Sequence, residues 1–163
     1  MNEAIIASLT LLPKGLDVLA ALLLAFILGA TVGIERGLST SSVGIRTCTL
    51  VALASAAFAS LIVEKLPAES WGAGFGAVVT GVGFLGAGAI IKGGSRLSVT
   101  GLGEAGTIWC VAVVGLLIGA QEFVTAIFVT SLVLIINFTL RPVATWIDKH
   151  RASRKPEDDV LDG

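Results

Sequence analysis

The sequence predicts an all-α membrane protein, a polytopic helical bundle with about five transmembrane helices and glycine-rich packing faces. The chain has 163 residues, of which 55% are hydrophobic and only 14% are charged, and its mean hydropathy is +0.93. A soluble domain carries roughly 25% charged residues, so this chain lacks the charge to cover a water-exposed surface. A net charge of −1 and two cysteines argue against a disordered chain, a nucleic-acid-binding protein and a disulfide-linked scaffold.

Five apolar stretches are predicted to cross the membrane. They are residues 16–34, 47–63, 72–91, 102–119 and 123–140. Each is close to the roughly 17 residues that a helix needs to cross a hydrocarbon core, and each is apolar on all sides, as a spanning helix is. A lipid-facing barrel would instead show alternating hydrophobicity over segments of about ten residues, and the sequence has no such pattern.

These stretches divide the chain into three parts. Residues 1–15 form an N-terminal segment, for which we expect either a short interfacial helix or a frayed terminus. This segment lacks the basic start and the small-residue cleavage site of a signal peptide. Residues 16–140 form the five-helix transmembrane domain, and residues 141–163 form a charged cytoplasmic tail whose end we expect to be solvated and flexible.

The distribution of basic residues predicts the orientation in the membrane. With five spans, the first loop, the third loop and the tail share one side, and that side holds nine of the eleven Lys and Arg residues. The opposite side has Lys14 and Lys65. The positive-inside bias therefore places the N-terminus outside and the C-terminus in the cytoplasm. Trp71 and Trp146 lie at predicted membrane boundaries, where aromatic residues are common.

Glycines are concentrated in the third stretch, and Gly29 and Gly33 lie four residues apart at the end of the first. Gly81-Val-Gly83-Phe-Leu-Gly86 satisfies a dinucleotide-binding pattern, but it lies inside an uncharged apolar stretch rather than between a strand and a helix. We therefore interpret these glycines as positions where helices approach closely. An alternative is that they let a helix bend or unwind around an ion. The predicted helix-packing residues are Gly29, Gly33, Gly81, Gly83, Gly86 and Gly88.

Charged residues gather where the first stretch ends and the second begins. The candidates for a cytoplasmic mouth, or for a contact with a phosphate or a partner, are Glu35, Arg36, Arg46 and Thr47. We expect Glu35 and Arg36 to point in different directions, since they are adjacent on a helix, and Glu35 to pair with Arg46 once the two helices meet. The alternative is ordinary anchoring of basic side chains at the cytoplasmic boundary.

Glu104 is the plainest charged residue inside a predicted span, and it is the candidate for binding an ion or a proton. A carboxylate in a membrane helix is costly without a partner and marks a functional site by default. Two structural explanations stay open. Thr100 or Gly101 could cap a helix whose first turn favours an acid, or Lys92 and Arg96 could pair with Glu104.

The sequence holds few other groups for chemistry. A hard cation at Glu104 would need further oxygen ligands, and the obvious donors are Thr100, Thr107, Asn137 and Asp17. A single histidine, His150, makes no metal cluster, and we interpret Cys48 and Cys110 as buried packing residues. We find no arrangement of an activated nucleophile, so we expect neither an enzyme nor a cofactor.

These motifs resemble the MgtC/SapB family of bacterial inner-membrane proteins. The residues that carry the resemblance are Leu28-Gly29-Ala-Thr-Val-Gly33-Ile-Glu35-Arg36, Val43-Gly44-Ile45-Arg46-Thr47, Val51-Ala-Leu53, Gly81-Val-Gly83-Phe84-Leu85-Gly86-Ala87-Gly88, Gly101-Leu102, Ala105, Ile108-Trp109 and Gly115-Leu116. Each piece is short, and it is their order and spacing that make the signal specific. The resemblance covers about residues 16–123.

Two departures from the family pattern bear on the site. Members often place an acid, an Arg and a Gln before the glycine-rich helix, whereas here Glu69 stands without the Arg and the Gln. Members also commonly have Thr-Ala or Asn-Thr-Ala after the Gly-Leu pair, whereas here Gly103 and Glu104 intervene and add a carboxylate. Some members carry a cytoplasmic C-terminal domain that this chain is too short to include.

The resemblance implies a multi-pass protein of the bacterial cytoplasmic membrane that is linked to growth in low magnesium, to survival inside host cells and to restraint of the proton-driven ATP synthase. Our leading hypothesis is a regulatory protein of Mg²⁺ homeostasis, virulence-type adaptation and membrane energetics that acts through helix–helix contacts. ATP synthase is the partner that the resemblance implies. The alternative is a small oligomeric transporter or channel for Mg²⁺ or protons. We expect a homo-oligomer, with a dimer favoured, in the lipid bilayer.

Overall fold

The computed structural model describes residues 14–39, 41, 43–91 and 101–152, and its regular secondary structure is helical throughout these ranges. The five main helices are α1 (Lys14–Leu38), α2 (Ile45–Lys65), α3 (Trp71–Ile91), α4 (Leu102–Gly119) and α5 (Phe123–Ala152). A one-turn 3₁₀ helix, Ala68–Ser70, precedes α3. Each main helix includes a segment long and apolar enough to cross a membrane, which confirms the predicted fold class.

The helix bounds extend the predicted spans mainly at their polar ends. Helix α4 coincides with the predicted stretch, while α1 and α2 include the charged residues that flank theirs. Helix α5 continues to Ala152, so the first part of the segment assigned to the charged tail is helical. Most of the predicted N-terminal segment and the end of the tail, residues 1–13 and 153–163, lie outside the described residues.

Helices α2 and α4 form the centre of the bundle. In the most apolar 18-residue stretch of each helix, 50% of the residues are buried in α2 and 44% in α4, against 6% in α3. Helix α1 packs mainly on α2, α3 packs mainly on α4, and α5 lies on α4 with a lighter contact to α1. The two central helices therefore determine where the others lie.

Small residues bring the backbones of α2 and α4 into direct contact. A Cβ atom added to Gly115 would collide with the carbonyl oxygen of Ala52, and one added to Gly119 would collide with that of Ala56. In lipid, where burial of apolar surface drives association only weakly, this close van der Waals packing is a main source of helix–helix affinity. Gly115 and Gly119 were not among the predicted packing residues, although they have the same four-residue spacing as Gly29 and Gly33, which is a signal for close helix packing.

Two of the predicted packing glycines lie against α2. A Cβ atom at Gly29 would stand 2.7 Å from the Cβ of Ala52, and one at Gly33 would stand 2.5 Å from the Cα of Ile45. Side chains at these positions would push α1 away from the centre of the bundle. Helix α1 is therefore held on α2 by the same close approach that joins α2 to α4.

The glycines of α3 do not all lie against other helices of this chain. Gly86 is in ordinary contact with Ala105 of α4, at 3.6 Å, whereas a Cβ at Gly81, Gly83 or Gly88 would meet no atom within 4 Å in the described structure. The reason is the position of α3, which rests on α4 along one side and leaves its other sides exposed.

Hydroxyl side chains within the helices are satisfied locally. Thr31, Thr107 and Thr130 each donate to the backbone carbonyl four residues earlier, at 2.8–2.9 Å. Hydrocarbon supplies no partner for a hydroxyl, and this internal hydrogen bond removes the cost of placing one there. Among the described residues, no buried side-chain nitrogen or oxygen lacks a hydrogen-bond partner.

Replacing Gly115 by Ala is expected to destabilise the bundle by about 1–3 kcal/mol, because the added methyl group would collide with the backbone of α2. Gly83→Ala is the matched control: its added Cβ meets open space, and alanine favours a helix over glycine by up to about 1 kcal/mol. Thermal unfolding of both variants and the parent in one detergent measures the difference. A Gly115→Ala protein that unfolds at or above the parent temperature would contradict the close contact of α2 with α4.

Candidate functional site

A group of polar and charged side chains lies at the end of the bundle where α1 finishes and α2 and α4 begin. We call this group the Glu35 cluster. Its members are Glu35, Arg36, Ser39, Ser41, Glu104 and Asn137. They come from α1, the connection after it, α4 and α5, so only the folded bundle brings them together.

Glu35 and Arg36 form a buried, bidentate ion pair. Arg36 donates from Nε to Glu35 Oε2 at 2.7 Å and from Nη2 to Glu35 Oε1 at 2.6 Å. The two residues are only 6% and 7% exposed. Two parallel charge-assisted hydrogen bonds of this kind are stronger and more directional than a single contact. The expectation that these neighbours would point apart is therefore wrong, because both long side chains bend toward each other at the end of α1.

Arg46 does not reach Glu35, which corrects the predicted pair between them. Arg46 is exposed on the first turn of α2. With Thr47 and Leu50 it lines an open recess of about 390 Å³ at the surface. The predicted contact fails because α2 meets α1 through the face that carries Cys48 and Ala52, and Arg46 lies on another face.

The Glu35 carboxylate accepts four hydrogen bonds. Besides the two from Arg36, Ser39 Oγ donates to Oε1 at 3.0 Å and Asn137 Nδ2 donates to Oε2 at 3.0 Å. A carboxylate offers about four lone-pair sites, so these four donors use the whole acceptor capacity of Glu35. Breaking a buried pair by removing one partner is costly, because it leaves an uncompensated charge. The carboxylate is thus a fixed part of the bundle that ties α1 to α5.

Glu104 is held much more loosely. It lies half-buried in the first turn of α4, and Ser41 Oγ donates to its Oε1 over a long 3.4 Å. The N-cap of α4 is Gly101, which has a φ of +92° and makes no side-chain capping bond. An acid in this first turn is favoured by the helix dipole. The proposed partners Lys92 and Arg96 and the alternative cap Thr100 lie outside the described residues.

Gly101 is required at the start of α4. Its positive φ suits glycine, and an added Cβ would stand 2.5 Å from the carbonyl oxygen of Ala89. The start of α4 therefore lies directly against the end of α3.

The remaining oxygen donors named from the sequence are dispersed. Thr107 donates to the carbonyl of Gly103, and Asp17 lies at the opposite end of the bundle, where it lines a cavity of about 270 Å³ with Glu64 and Gln121. Asn137 joins the Glu35 cluster, but as a donor. Within the described residues no three His, Cys, Asp or Glu side chains form a group that could hold a metal ion.

The two cysteines differ in exposure. Both thiols are free. Cys48 is completely buried, and its Cβ lies 3.2 Å from where a Cβ on Gly33 would be. Cys110 is half-buried. Cys48 therefore lies directly under the end of α1 that carries the Glu35–Arg36 pair.

Two features give the cluster its chemical character. One carboxylate, Glu35, has no remaining acceptor site, whereas the other, Glu104, accepts one long hydrogen bond of 3.4 Å from the described part of the chain. Glu104 is the group in the cluster that is able to accept a proton or a small cation without breaking an existing strong contact. The sequence suggests Asn137 only as an oxygen ligand for a cation. Its hydrogen bond to Glu35 has no local signal in the sequence, since 102 residues separate the two.

Comparisons with known proteins agree on one family. Residues 22–146 match the model of the MgtC family. An uncharacterised protein of Synechocystis sp. is 40% identical over 138 residues, which covers 80% of this chain and 55% of that protein. Protein MgtC of Salmonella paratyphi A is 38% identical over 136 residues, covering 83% and 58%. Protein MgtC of Brucella abortus is 40% identical over 120 residues, covering 73% and 49%.

The chain thus spans about half the length of the curated relatives that it matches. No solved structure matches it. The matched region runs from α1 into the last part of α5, so it includes the Glu35 cluster and all the central contacts of the bundle. With five helices able to cross a membrane and relatives of this identity, the chain is a multi-pass membrane protein that belongs to the MgtC family.

Proposed function

We propose that the chain is a non-enzymatic regulatory membrane protein of Mg²⁺ homeostasis and virulence-type adaptation, and that it acts on membrane energetics or on a membrane partner through helix–helix contacts. The observation that carries this proposal is the exposure of α3, of whose most apolar stretch only 6% is buried within the chain. A helix so rich in glycine and so little used inside its own bundle is suited to receiving another helix.

The exposed glycines of α3 support this role by their spacing. Gly72, Gly76 and Gly83 are all exposed, with no atom within 4 Å of an added Cβ, and their separations of four and seven residues place them on one side of the helix. Thr80 and Ala87 continue that side and are also exposed. Elsewhere in this chain, glycines at helix contacts allow backbones to touch. The same small residues on α3 are open to a helix from outside.

The partner is either another membrane protein or a second copy of the chain. The family resemblance favours the membrane part of ATP synthase as the partner, and a homodimer is the favoured self-assembly. Both would use the same side of α3, because a close approach of backbones requires small residues on at least one helix. What the longer relatives do as whole proteins is proposed for this chain only because the chain resembles them.

Gly83→Leu is expected to reduce recovery of a membrane partner, or of a cross-linked dimer, by about tenfold, because the side chain would hold the incoming helix away. Gly88→Leu is the matched control: it is equally exposed and lies on the same helix, but on a different side. Co-purification after cross-linking in native membranes measures both. Recovery that is unchanged in Gly83→Leu, or equally lost in the two variants, would count against this docking side.

A second candidate is a small oligomeric transporter or channel for Mg²⁺ or protons. The specific observation in its favour is Glu104, a half-buried carboxylate at the end of the bundle with one long hydrogen bond and with Arg36 close enough to interact electrostatically. Five thin helices enclose no wide polar route by themselves, so this candidate requires an oligomer. Glu35, Arg36, Arg46 and Thr47 would then lie near its mouth.

Flux measurements separate the two candidates. Under the regulatory proposal, purified protein in vesicles is expected to carry no Mg²⁺ or proton flux above that of empty vesicles. The variants to compare are Glu104→Gln and the control Glu69→Gln, which removes an exposed carboxylate from the 3₁₀ turn. Flux that persists in the parent and the control and is lost in Glu104→Gln would overturn the regulatory proposal in favour of transport.

The orientation with the N-terminus outside and the C-terminus in the cytoplasm is also part of the proposal. It places the Glu35 cluster at the cytoplasmic end of the bundle, on the side rich in Lys and Arg. A reporter fused after the last residue is expected to show the activity of a cytoplasmic fusion, and one inserted between Lys65 and Ala68 that of an external one. The opposite pattern would refute this orientation.

A further inference from the structure

We infer that Asn137 is a latch that holds the end of α5 against α1, and that release of its hydrogen bond to Glu35 opens the buried Glu35–Arg36 pair and the Cys48 thiol to solvent. The inference rests on contacts within the chain and does not depend on the proposed function. Its test measures the accessibility of a thiol rather than any activity, so a failure of this inference can be distinguished from a failure of the proposed function.

Asn137 continues the buried stripe on α5 and is itself half-buried. Ala126, Thr130 and Val133 are buried, and Asn137 is the next position in the same helical series. Helix α5 packs on α4, so this stripe holds it to the bundle. Residues 138–140, which follow, are exposed. An asparagine therefore stands where the series would otherwise place an apolar residue, one turn after Val133.

The hydrogen bond from Asn137 links α5 to α1 at the end of the bundle that holds the Glu35 cluster. Nδ2 of Asn137 donates to Oε2 of Glu35 at 3.0 Å, while the two helices otherwise touch only lightly. A hydrogen bond to a charged group is stronger than one between neutral groups. Loss of this bond leaves one site of the Glu35 carboxylate unsatisfied and removes the polar link between the two helices.

The remainder of α5 is placed to work this latch. The helix continues from the predicted span through residues 141–152, which adds about 18 Å at 1.5 Å per residue. Trp146 and Ile147 on this extension are 60% and 41% exposed. Because the extension and the latch belong to one helix, a pull on the extension is transmitted to Asn137.

Cys48 reports whether the latch is closed. It is completely buried and belongs to the same apolar core as Val133 of α5. It is also close enough to Glu35 and Arg36 to interact with both electrostatically. Movement of the end of α5 away from α1 uncovers this part of the core, so the rate of reaction of Cys48 with a small maleimide measures opening.

The first test compares labelling of Cys48 by N-ethylmaleimide in the full chain, purified in detergent and carrying Cys110→Ala to remove the second thiol. Asn137→Leu keeps the size of the side chain and removes the donor, and we expect it to raise the labelling rate about tenfold if opening limits the reaction. Thr139→Leu, an exposed position two residues further on, is the control and should label like the parent. An Asn137→Leu protein that labels no faster than Thr139→Leu overturns the latch.

The second test exchanges the two partners and stays decisive if Asn137→Leu fails to fold. Asn137→Asp places a second carboxylate against Glu35 and is expected to raise the labelling rate about tenfold or more by repulsion. Adding Glu35→Gln to Asn137→Asp again places an amide against a carboxylate. Because it also removes the charged partner of Arg36, the rate should fall below that of Asn137→Asp alone without returning fully to that of the parent. A double variant that labels as fast as Asn137→Asp alone contradicts the inference, because a loss of general packing would not be repaired by a second substitution.

Discussion

Contact between the backbones of α2 and α4 is the constraint on which the rest of the bundle depends. Where Gly115 and Gly119 meet Ala52 and Ala56, no side chain separates the two helices. Each of the outer helices then packs mainly on one member of this central pair. Lipid gives apolar helices little reason to associate except close fit, and the fit here is set by residues that have almost no side chain.

The buried charged residues are also packed closely together. Helix α1 carries its acid and base next to each other, and Arg36 fills two of the four acceptor positions of Glu35. The remaining two acceptor positions of Glu35 take Ser39, one turn away, and Asn137 from α5. A buried pair that is fully hydrogen-bonded avoids the large penalty of an isolated charge. Glu104 is the contrasting member, because the described residues give it one long hydrogen bond.

Helix α3 stands apart from this arrangement. It has the most glycines of the spans and the fewest buried residues. The glycines at which two helix backbones touch within the chain are instead on α1 and α4. The helix whose small residues would let another helix come closest is therefore at the periphery of the bundle. That placement, rather than glycine content itself, is the basis for proposing that a helix from outside the chain packs on this side of α3.

The fold class, the number of spans and the bounds of α4 were predictable from the sequence alone. A helix that crosses a bilayer needs a certain length of apolar residues, and that length can be counted along one stretch of the chain. The sequence also identified Gly29 and Gly33, whose spacing lies within one helix, as packing positions. Only the tertiary structure decided which glycines touch a neighbour, that Arg36 rather than Arg46 pairs with Glu35, and that Asn137 completes the pair. Each of these depends on how helices distant in the sequence are rotated against one another. Rotation is set by the sum of many small contacts, and a helix that is apolar on all sides carries no periodic signal of which side faces inward.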